Sequence, residues 1–347
     1  MTWVLDTEYI DPTGLTGVMR EALADLQINR FTLSRWLPNV EIDDINFEFM
    51  KGGAGLAEAA VYRSWDAEST IARREGLSKV MGELPPISEK IPLNEYDRLR
   101  LRKLPSGDEM VPFIARDAAK LAANIGARFE LARGEALVNG SISIAENGVV
   151  QTVSFGRDAN HSVLAAILWS AHSTAKPIDD LEAWVQTYID TNGVAPARIL
   201  MPRTVLANLR QCDQIRDQVF PLATAAPVVN TQQVNTVLDS MNLPSIELYD
   251  AQVKVDGASR RITPTDKIVL LPAPGPPSAA TPTDLGATLL GTTAEALEPD
   301  YQLVGDQAGI VAATYKSRDP IRLWTHAAAV GLPILREPNL TLTAEVL

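Results

Sequence analysis

A single cysteine, Cys212, stands among the 347 residues, so no internal disulfide is available and no thiolate zinc site can be completed. That usage points to a reducing compartment and to a fold held by packing alone. Histidine is nearly as scarce: His161, His172 and His326 are the whole set, and none of them pairs at the spacing of a helical metal site. Ser154-Phe-Gly156 and Ser317-Arg-Asp319 lack the pattern of a nucleophile elbow, which leaves open only a Ser-His-Asp set gathered from distant parts. Gly52-Gly-Ala-Gly55 is a flexible break without the Gly-Lys-Ser/Thr that a phosphate cradle needs. No stretch reaches the roughly 18 uninterrupted apolar residues of a membrane helix, and MTWVLDTEYIDPTG has no basic start followed by an apolar run. Neither membrane insertion nor a signal peptide is expected. Positive charge is in deficit, with 31 Lys and Arg against 43 Asp and Glu, and the net charge of −12 argues against holding nucleic acid through a broad cationic surface. Glu41, Asp43 and Asp44 read as the wet face of a strand before they read as metal ligands. Catalytic, cofactor-binding and metal-binding residues are therefore each expected to be none.

What the chain does have is apolar mass. It is 46% hydrophobic with six tryptophans, and its length suits two packed units. The strongest periodic stretch runs from Ser106 to Asn139, where Met110, Ile114, Ala118, Leu121, Ile125, Phe129, Ala132 and Ala136 recur at steps of three and four. This spacing predicts one long amphipathic helix, a spine roughly 45 Å long at about 1.5 Å per residue. Ser106 and Glu109 form a capping-box pattern at its start, Pro112 is tolerated only in a first turn, and Asn139-Gly140 stops it. Leu121, Ile125 and Phe129 are the expected packing residues.

Taken in order, the chain begins with a helical pattern from about Leu15 to Leu26 and an arm-like aromatic stretch that ends at Pro38. Strands are expected at 41–49, at 58–65 and at 98–102, where alternation would put Arg98, Arg100 and Arg102 on one face. The last two would make a long excursion between a glycine hinge and the spine. Standing alone, such a hairpin is marginal in water and needs a partner surface. After the spine, Glu146-Asn-Gly148 sits between alternating runs and predicts a hairpin over 141–155. A helix is expected from Pro177 to Thr191, with Asp179, Asp180 and Glu182 favouring its dipole and Asn192-Gly193 closing it. Strands at 198–201, 245–249 and 267–271, with a turn at Asp256-Gly257, complete an α+β unit over 173–271. Late strands at 310–315 and 321–324 are expected beside the hairpin and the spine, and Leu340-Thr-Leu-Thr as an edge strand or surface tail.

This order, together with Ala-Arg-Phe-Glu-Leu-Ala-Arg-Gly-Glu-Ala-Leu-Val-Asn-Gly (127–140), the hairpin ending Val-Ser-Phe-Gly-Arg157 and the passage Trp184…Gly193…Arg-Ile-Leu-Met201, resembles the major capsid protein of tailed bacteriophages. It resembles in particular the lambda-like capsid protein E family. The resemblance implies an α+β, Hong Kong 97-type fold: an N-terminal arm and first strand at 1–51, an extended loop at 52–104, a peripheral domain at 105–172, an axial domain at 173–277 and a return to the peripheral domain at 278–347. It implies a structural subunit of an icosahedral head shell, assembling as hexamers and pentamers around double-stranded DNA without reading its sequence. Scaffold, portal and a decoration protein would be its partners. Its location would be the virion, after assembly in the host cytoplasm, with no cofactor, no membrane and no catalysis. Subunit contacts would fall on Arg63, Arg73, Arg74, Arg98, Arg100, Arg102 and Lys103. Some relatives are joined by a lysine–asparagine isopeptide bond, and Lys79 and Lys90 lie in the corresponding loop. Lambda-like members rely on a decoration protein instead, so the bond is not carried over. Two other readings share this sequence: an encapsulin-type compartment shell around protein cargo, and a soluble enzyme whose site is invisible in sequence.

Overall fold

A computed structural model describes residues 3–24, 31–51, 78–101, 110–146, 148–220, 228–276, 281–301 and 308–347. The chain opens with β1 (Trp3–Leu5), α1 (Pro12–Ala24) and β2 (Asn39–Glu41), then β3 (Asn46–Lys51), β4 (Ser78–Glu83) and β5 (Pro86–Leu93). Helix α2 (Glu95–Leu101) precedes the spine, α3 (Met110–Asn139). The middle comprises β6 (Ser141–Glu146), β7 (Val149–Ser154), β8 (Ser162–Leu164), α4 (Pro177–Asn192), β9 (Arg198–Met201), α5 (Arg203–Leu209), α6 (Asp213–Val219) and α7 (Thr231–Ser240). It continues through β10 (Ser245–Leu248), β11 (Gln252–Val255), β12 (Ala258–Arg261) and β13 (Lys267–Leu271). The chain ends with β14 (Gly286–Gly291), α8 (Ala294–Leu297), β15 (Val311–Arg318), β16 (Ile321–Leu335) and β17 (Leu342–Glu345).

Two sheets organise these elements. The first has six strands in the order β1-β15-β16-β14-β2, with β5 also paired to β16. The long β16 makes this branching possible, because its first half pairs with β15 and β5 while its last residues pair with β14. The second sheet has the order β10-β9-β13-β17-β8. Three further pairs stand outside both sheets: β3 with β4, β6 with β7, and β11 with β12.

The spine lies on the first sheet through the face that its periodicity marks. Met110, Ile114, Ala118, Leu121, Ala122, Ile125 and Phe129 share one buried cluster with Leu93, Leu290, Leu323, Ala327 and Ala329 of β5, β14 and β16, and with Leu15 and Met19 of α1. Small residues let the surfaces approach. A Cβ added to Gly331 in β16 would come within 2.7 Å of Leu289 O and 3.1 Å of the Phe129 ring, so the strand runs against Phe129 only because position 331 carries no side chain. Pro112 falls in the first turn of α3, and Gly140 with φ +65° ends it, its N–H donating to Ala136 O at 2.8 Å.

Several sequence expectations need correction. The 41–49 strand is two strands, broken where Asp44 Oδ1 accepts from Asn46 N (3.0 Å), a local bond that competes with the ladder. Residues 98–101 are helical rather than extended, because Asn94 Oδ1 caps the N–H of Asp97 at 2.9 Å and Glu95 and Asp97 supply acidic charge to the first turn. Residues 86–93, which fall in the expected extended loop at 52–104, form β5 on β16; among the described residues no strand pairs with its other edge, so Pro86 and Pro92 cost it no ladder bond. The described residues of the 1–51 arm are integral to the body: β1 pairs with β15, and Leu33, Trp36 and Leu37 are fully buried. The late strands join β5 and β14 rather than the 141–155 hairpin, which stands as its own ribbon. The chain end is neither an edge nor a tail, since β17 lies between β13 and β8 in the second sheet with Leu342 and Ala344 fully buried. Asp256 (φ 50°) and Gly257 (φ 80°) form the turn of a hairpin, β11–β12, inserted between β10 and β13. The 58–65 strand and the Ser106/Glu109 cap lie outside the described residues.

Candidate assembly surfaces

At the centre of the spine two ionisable residues interrupt the apolar run. Glu130 is completely buried, and its Oε1 accepts from the backbone N–H of Leu33 (2.8 Å) and from the Tyr249 hydroxyl (2.7 Å). Its Oε2 takes Arg133 Nη1 at 3.0 Å, one turn on. Arg133 then donates Nε to Thr288 Oγ1 (2.8 Å) and Nη2 to Asn39 Oδ1, and Thr288 Oγ1 donates to Leu37 O (3.0 Å). One carboxylate and one guanidinium thus join the turn at 33–39, the spine, β14 and the loop after β10. Burial, and then the negative charge of Glu130, push the Tyr249 hydroxyl far above the usual tyrosine range, so it remains a donor. Beside this clasp, Gly134 lets the spine touch Ile262, whose Cγ2 and carbonyl occupy the space a Cβ would need.

A second clasp holds the end of the spine. Arg157 Nη1 and Nη2 donate to Leu137 O (3.1 Å) and Val138 O (2.7 Å), two carbonyls the last turn leaves open, and also to Thr341, Thr343 and Ser162 hydroxyls. A cation at a helix C-terminus is favourable for the dipole. Burial nevertheless lowers the Arg157 pKa to about 10. The guanidinium therefore ties α3 to β17 and β8. In sequence, the i, i+3 Glu130–Arg133 pair inside an apolar face was the one signal for the first clasp; for the second there was only an arginine after a glycine.

The residues that would carry chemistry are dispersed and engaged in the fold. His161 contacts Thr341 O (3.2 Å) and Thr191 Oγ1 (3.0 Å), His172 contacts Asn208 Oδ1 (2.9 Å), and His326 sits on β16 in the other sheet. Asp180 accepts from Trp169 Nε1 (3.0 Å) and Asp179 from Gln214 Nε2 (2.6 Å), both at the start of α4. Cys212 is fully buried, and burial raises its thiol to about 11, which makes it unreactive. Among the described residues no three of His, Cys, Asp and Glu group as metal ligands, and no helix is long and apolar enough to cross a membrane.

Of the expected contact residues, Arg98 and Arg100 lie on α2, where positions two apart are about 200° apart around the axis and share no face. Positions 98 and 100 therefore do not share the one face expected of a strand. Arg63, Arg73, Arg74, Arg102 and Lys103 lie outside the described residues. Leu121, Ile125 and Phe129 are 0%, 1% and 2% exposed in the interior of the spine interface. Several apolar side chains are exposed among the described residues. Tyr96 and Leu99 of α2 are 67% and 61% exposed, the N–H of exposed Ile321 donates to Glu95 Oε1 (3.0 Å), and Leu164 at the end of β8 is exposed with Ile167 and Leu168 of the loop that follows. The β3–β4 ribbon joins neither sheet, and pairs outward to Lys51 and Ser78, where residues 52–77 begin and end.

Two-stranded ribbons outside both sheets, a buried spine and exposed apolar side chains among the described residues suit a subunit that packs against neighbours. The model of a family described as phage major capsid protein E matches residues 31–346. The chain belongs to this family. It is therefore a structural subunit of a bacteriophage head shell, and the virion is its place. Its fold is of the Hong Kong 97 type. It is similar in structure to a candidate capsid protein of an Escherichia coli CFT073 prophage, with a TM-score of 0.63 at 14% identity over 100% of each chain. A phage-related protein of Bordetella bronchiseptica RB50 gives 0.61 at 11% identity over 99% of this chain and 98% of that one. At such identities the likeness concerns the fold. No curated protein matches the sequence. The capsid family assembles into shells and points to a structural rather than catalytic role.

Proposed function

We propose that this capsid protein forms hexamers and pentamers that close into an icosahedral shell around double-stranded DNA, without sequence-specific contact to that DNA. Scaffold, portal and a decoration protein are its partners during assembly in the host cytoplasm. The β3–β4 ribbon and residues 52–77 reach a neighbouring subunit, where Arg63, Arg73, Arg74, Arg98, Arg100, Arg102 and Lys103 meet carboxylates. The observation that carries this reading is the ribbon itself, a two-stranded pair outside both sheets. Two strands alone are marginal in water. The net charge of −12 supports a lining past which DNA slides, and it supplies carboxylates for the arginines.

Removal of residues 52–77, with Lys51 and Ser78 joined through a short glycine linker, tests the proposal. The cut spares β5, which belongs to the first sheet. The shortened chain should melt like the parent as an unassembled protein and fail to form closed shells. Closed particles of normal size would refute the role given to the loop.

A further inference from the structure

Asparagine or aspartate followed by glycine occurs four times, at Asn139-Gly140, Asn147-Gly148, Asn192-Gly193 and Asp256-Gly257. The pairing carries a reaction of its own. Glycine has no side chain to shield its amide nitrogen, which can attack the side-chain carbonyl carbon, Cγ, of the residue before it and close a five-membered ring. Whether the ring forms depends on how tightly the fold holds the two groups. Asn147 lies outside the described residues. At the other two asparagines the nitrogen is held, since Gly140 N–H donates to Ala136 O (2.8 Å) and Gly193 N–H to Ile189 O (2.7 Å), each at the end of a helix. Asn192 is also buried, and its amide donates to Tyr188 O (3.0 Å) and Asn339 O (2.9 Å).

Asp256-Gly257 is held by nothing of this kind. The pair forms the two-residue tip of the β11–β12 ribbon, with Val255 and Ala258 as the innermost partners. Both residues are exposed, and neither the Asp256 carboxylate nor the Gly257 N–H has a hydrogen-bond or ion-pair partner among the described residues. Space around Gly257 is open, with no heavy atom beyond its chain neighbours within 4 Å of the position a Cβ would take. Asp256 has φ 50°, where a residue with a Cβ is strained, so leaving that conformation costs the tip little. The ribbon belongs to neither of the two large sheets and all four residues of β12 are exposed, which keeps the cost of local opening low.

We propose that Asp256 is a spontaneous modification site that converts to isoaspartate. The Gly257 nitrogen forms a bond to Cγ of Asp256 in its neutral acid form, and the carboxyl hydroxyl leaves with the amide proton as water. Water then opens the cyclic succinimide at either carbonyl. Cleavage at the former side-chain carbonyl restores aspartate, and cleavage at the main-chain carbonyl leaves the chain running through Cγ. No further reactant enters, and the mass returns to its starting value. The product adds one carbon to the main chain between Val255 and Ala258, so the tip no longer fits the register of the ribbon. The reaction needs only the folded chain and is independent of the shell reading.

The test ages unassembled full-length protein at physiological temperature and near-neutral pH, folded and, in parallel, unfolded in guanidinium chloride. Trypsin, cutting after Lys254 and Arg260, releases residues 255–260 with the pair inside them. Isoaspartate in this peptide keeps the mass, elutes apart from the parent form and is assigned by electron-transfer fragmentation. It should accumulate in the folded chain at a rate within about threefold of the unfolded one, whereas deamidation at Asn139 and Asn192, read as a small gain in mass, should be slowed at least about tenfold by folding. Asp256→Glu, whose ring would be larger and close far more slowly, should yield no isomerised peptide. Folding that slows isomerisation at Asp256 as much as deamidation at Asn139 and Asn192 would overturn the proposal. So would an isomer that still forms in Asp256→Glu, or deamidation of those two asparagines at the unfolded rate.

Discussion

Glu130→Ala removes the acceptor for Leu33 N–H, Tyr249 O–H and Arg133 at once, at a site with no access to water. Deleting one member of a buried ion pair typically costs about 3–5 kcal/mol, because the other charge is left uncompensated. Arg133 keeps Thr288 and Asn39, which places the expected loss near the middle of that range rather than above it. Glu130→Gln retains an oxygen for Leu33 and Tyr249 and sets an amide N–H donor opposite Arg133 in place of the second oxygen, so one charged hydrogen bond is lost and about 1.5–3 kcal/mol is expected. Tyr249→Phe removes a single bond to a charged acceptor and should fall near the lower end of the same range. A loss of 4 kcal/mol would be, as an order of magnitude of ~4, a large part of a domain's net stability. Urea unfolding of unassembled protein, followed by tryptophan fluorescence and circular dichroism, gives the midpoints at unchanged slope. The order Ala, then Gln, then Phe is the prediction. Glu130→Ala within about 1 kcal/mol of the parent, or Gln as damaging as Ala, would refute the view that this carboxylate is the shared acceptor.

Phe129→Ala should cost about 3–5 kcal/mol in the same assay and fail before assembly, because the ring fills the space against Gly331; Arg102→Ala should melt like the parent and lower only the yield of shells. Cys212 should resist iodoacetamide at pH 8 in the folded protein and react rapidly in urea, since burial holds its thiol near 11. The same shift gives the folded state the extra proton between the thiol's ordinary value of 9.0 and about 11, so the stability it contributes is complete below 9.0 and is lost as pH rises through that window.

The spine was legible because its signal is local and repeated: Leu121, Ile125 and Phe129 recur at helical spacing, and all are buried. The 141–155 hairpin was legible for the same kind of reason, an Asn-Gly between alternating runs. Sheet membership was not. Residues 340–343 read as an edge strand or a surface tail, and only the three-dimensional path places β17 between β13 and β8. Arg98-Leu-Arg-Leu-Arg102 alternates like a strand, yet Asn94 and the acids after it start a helix, so a short cap outweighed a short period. Prolines 86 and 92 concealed β5 because their cost disappears on an edge that pairs with no strand among the described residues. The clasps were the least legible part. Glu130 finds Leu33, 97 residues away, and Tyr249, 119 residues away, and no local pattern records such partners.

The central claim, that this capsid subunit is completed by its neighbours through the β3–β4 ribbon, is tested most directly by electron cryomicroscopy of particles assembled from the full-length chain. The account predicts closed shells in which density for residues 52–77 continues from Lys51 and Ser78 over an adjacent subunit, next to its carboxylates. Shells in which that density folds back onto its own subunit, or a purified chain that remains unassembled with its scaffold present, would contradict it.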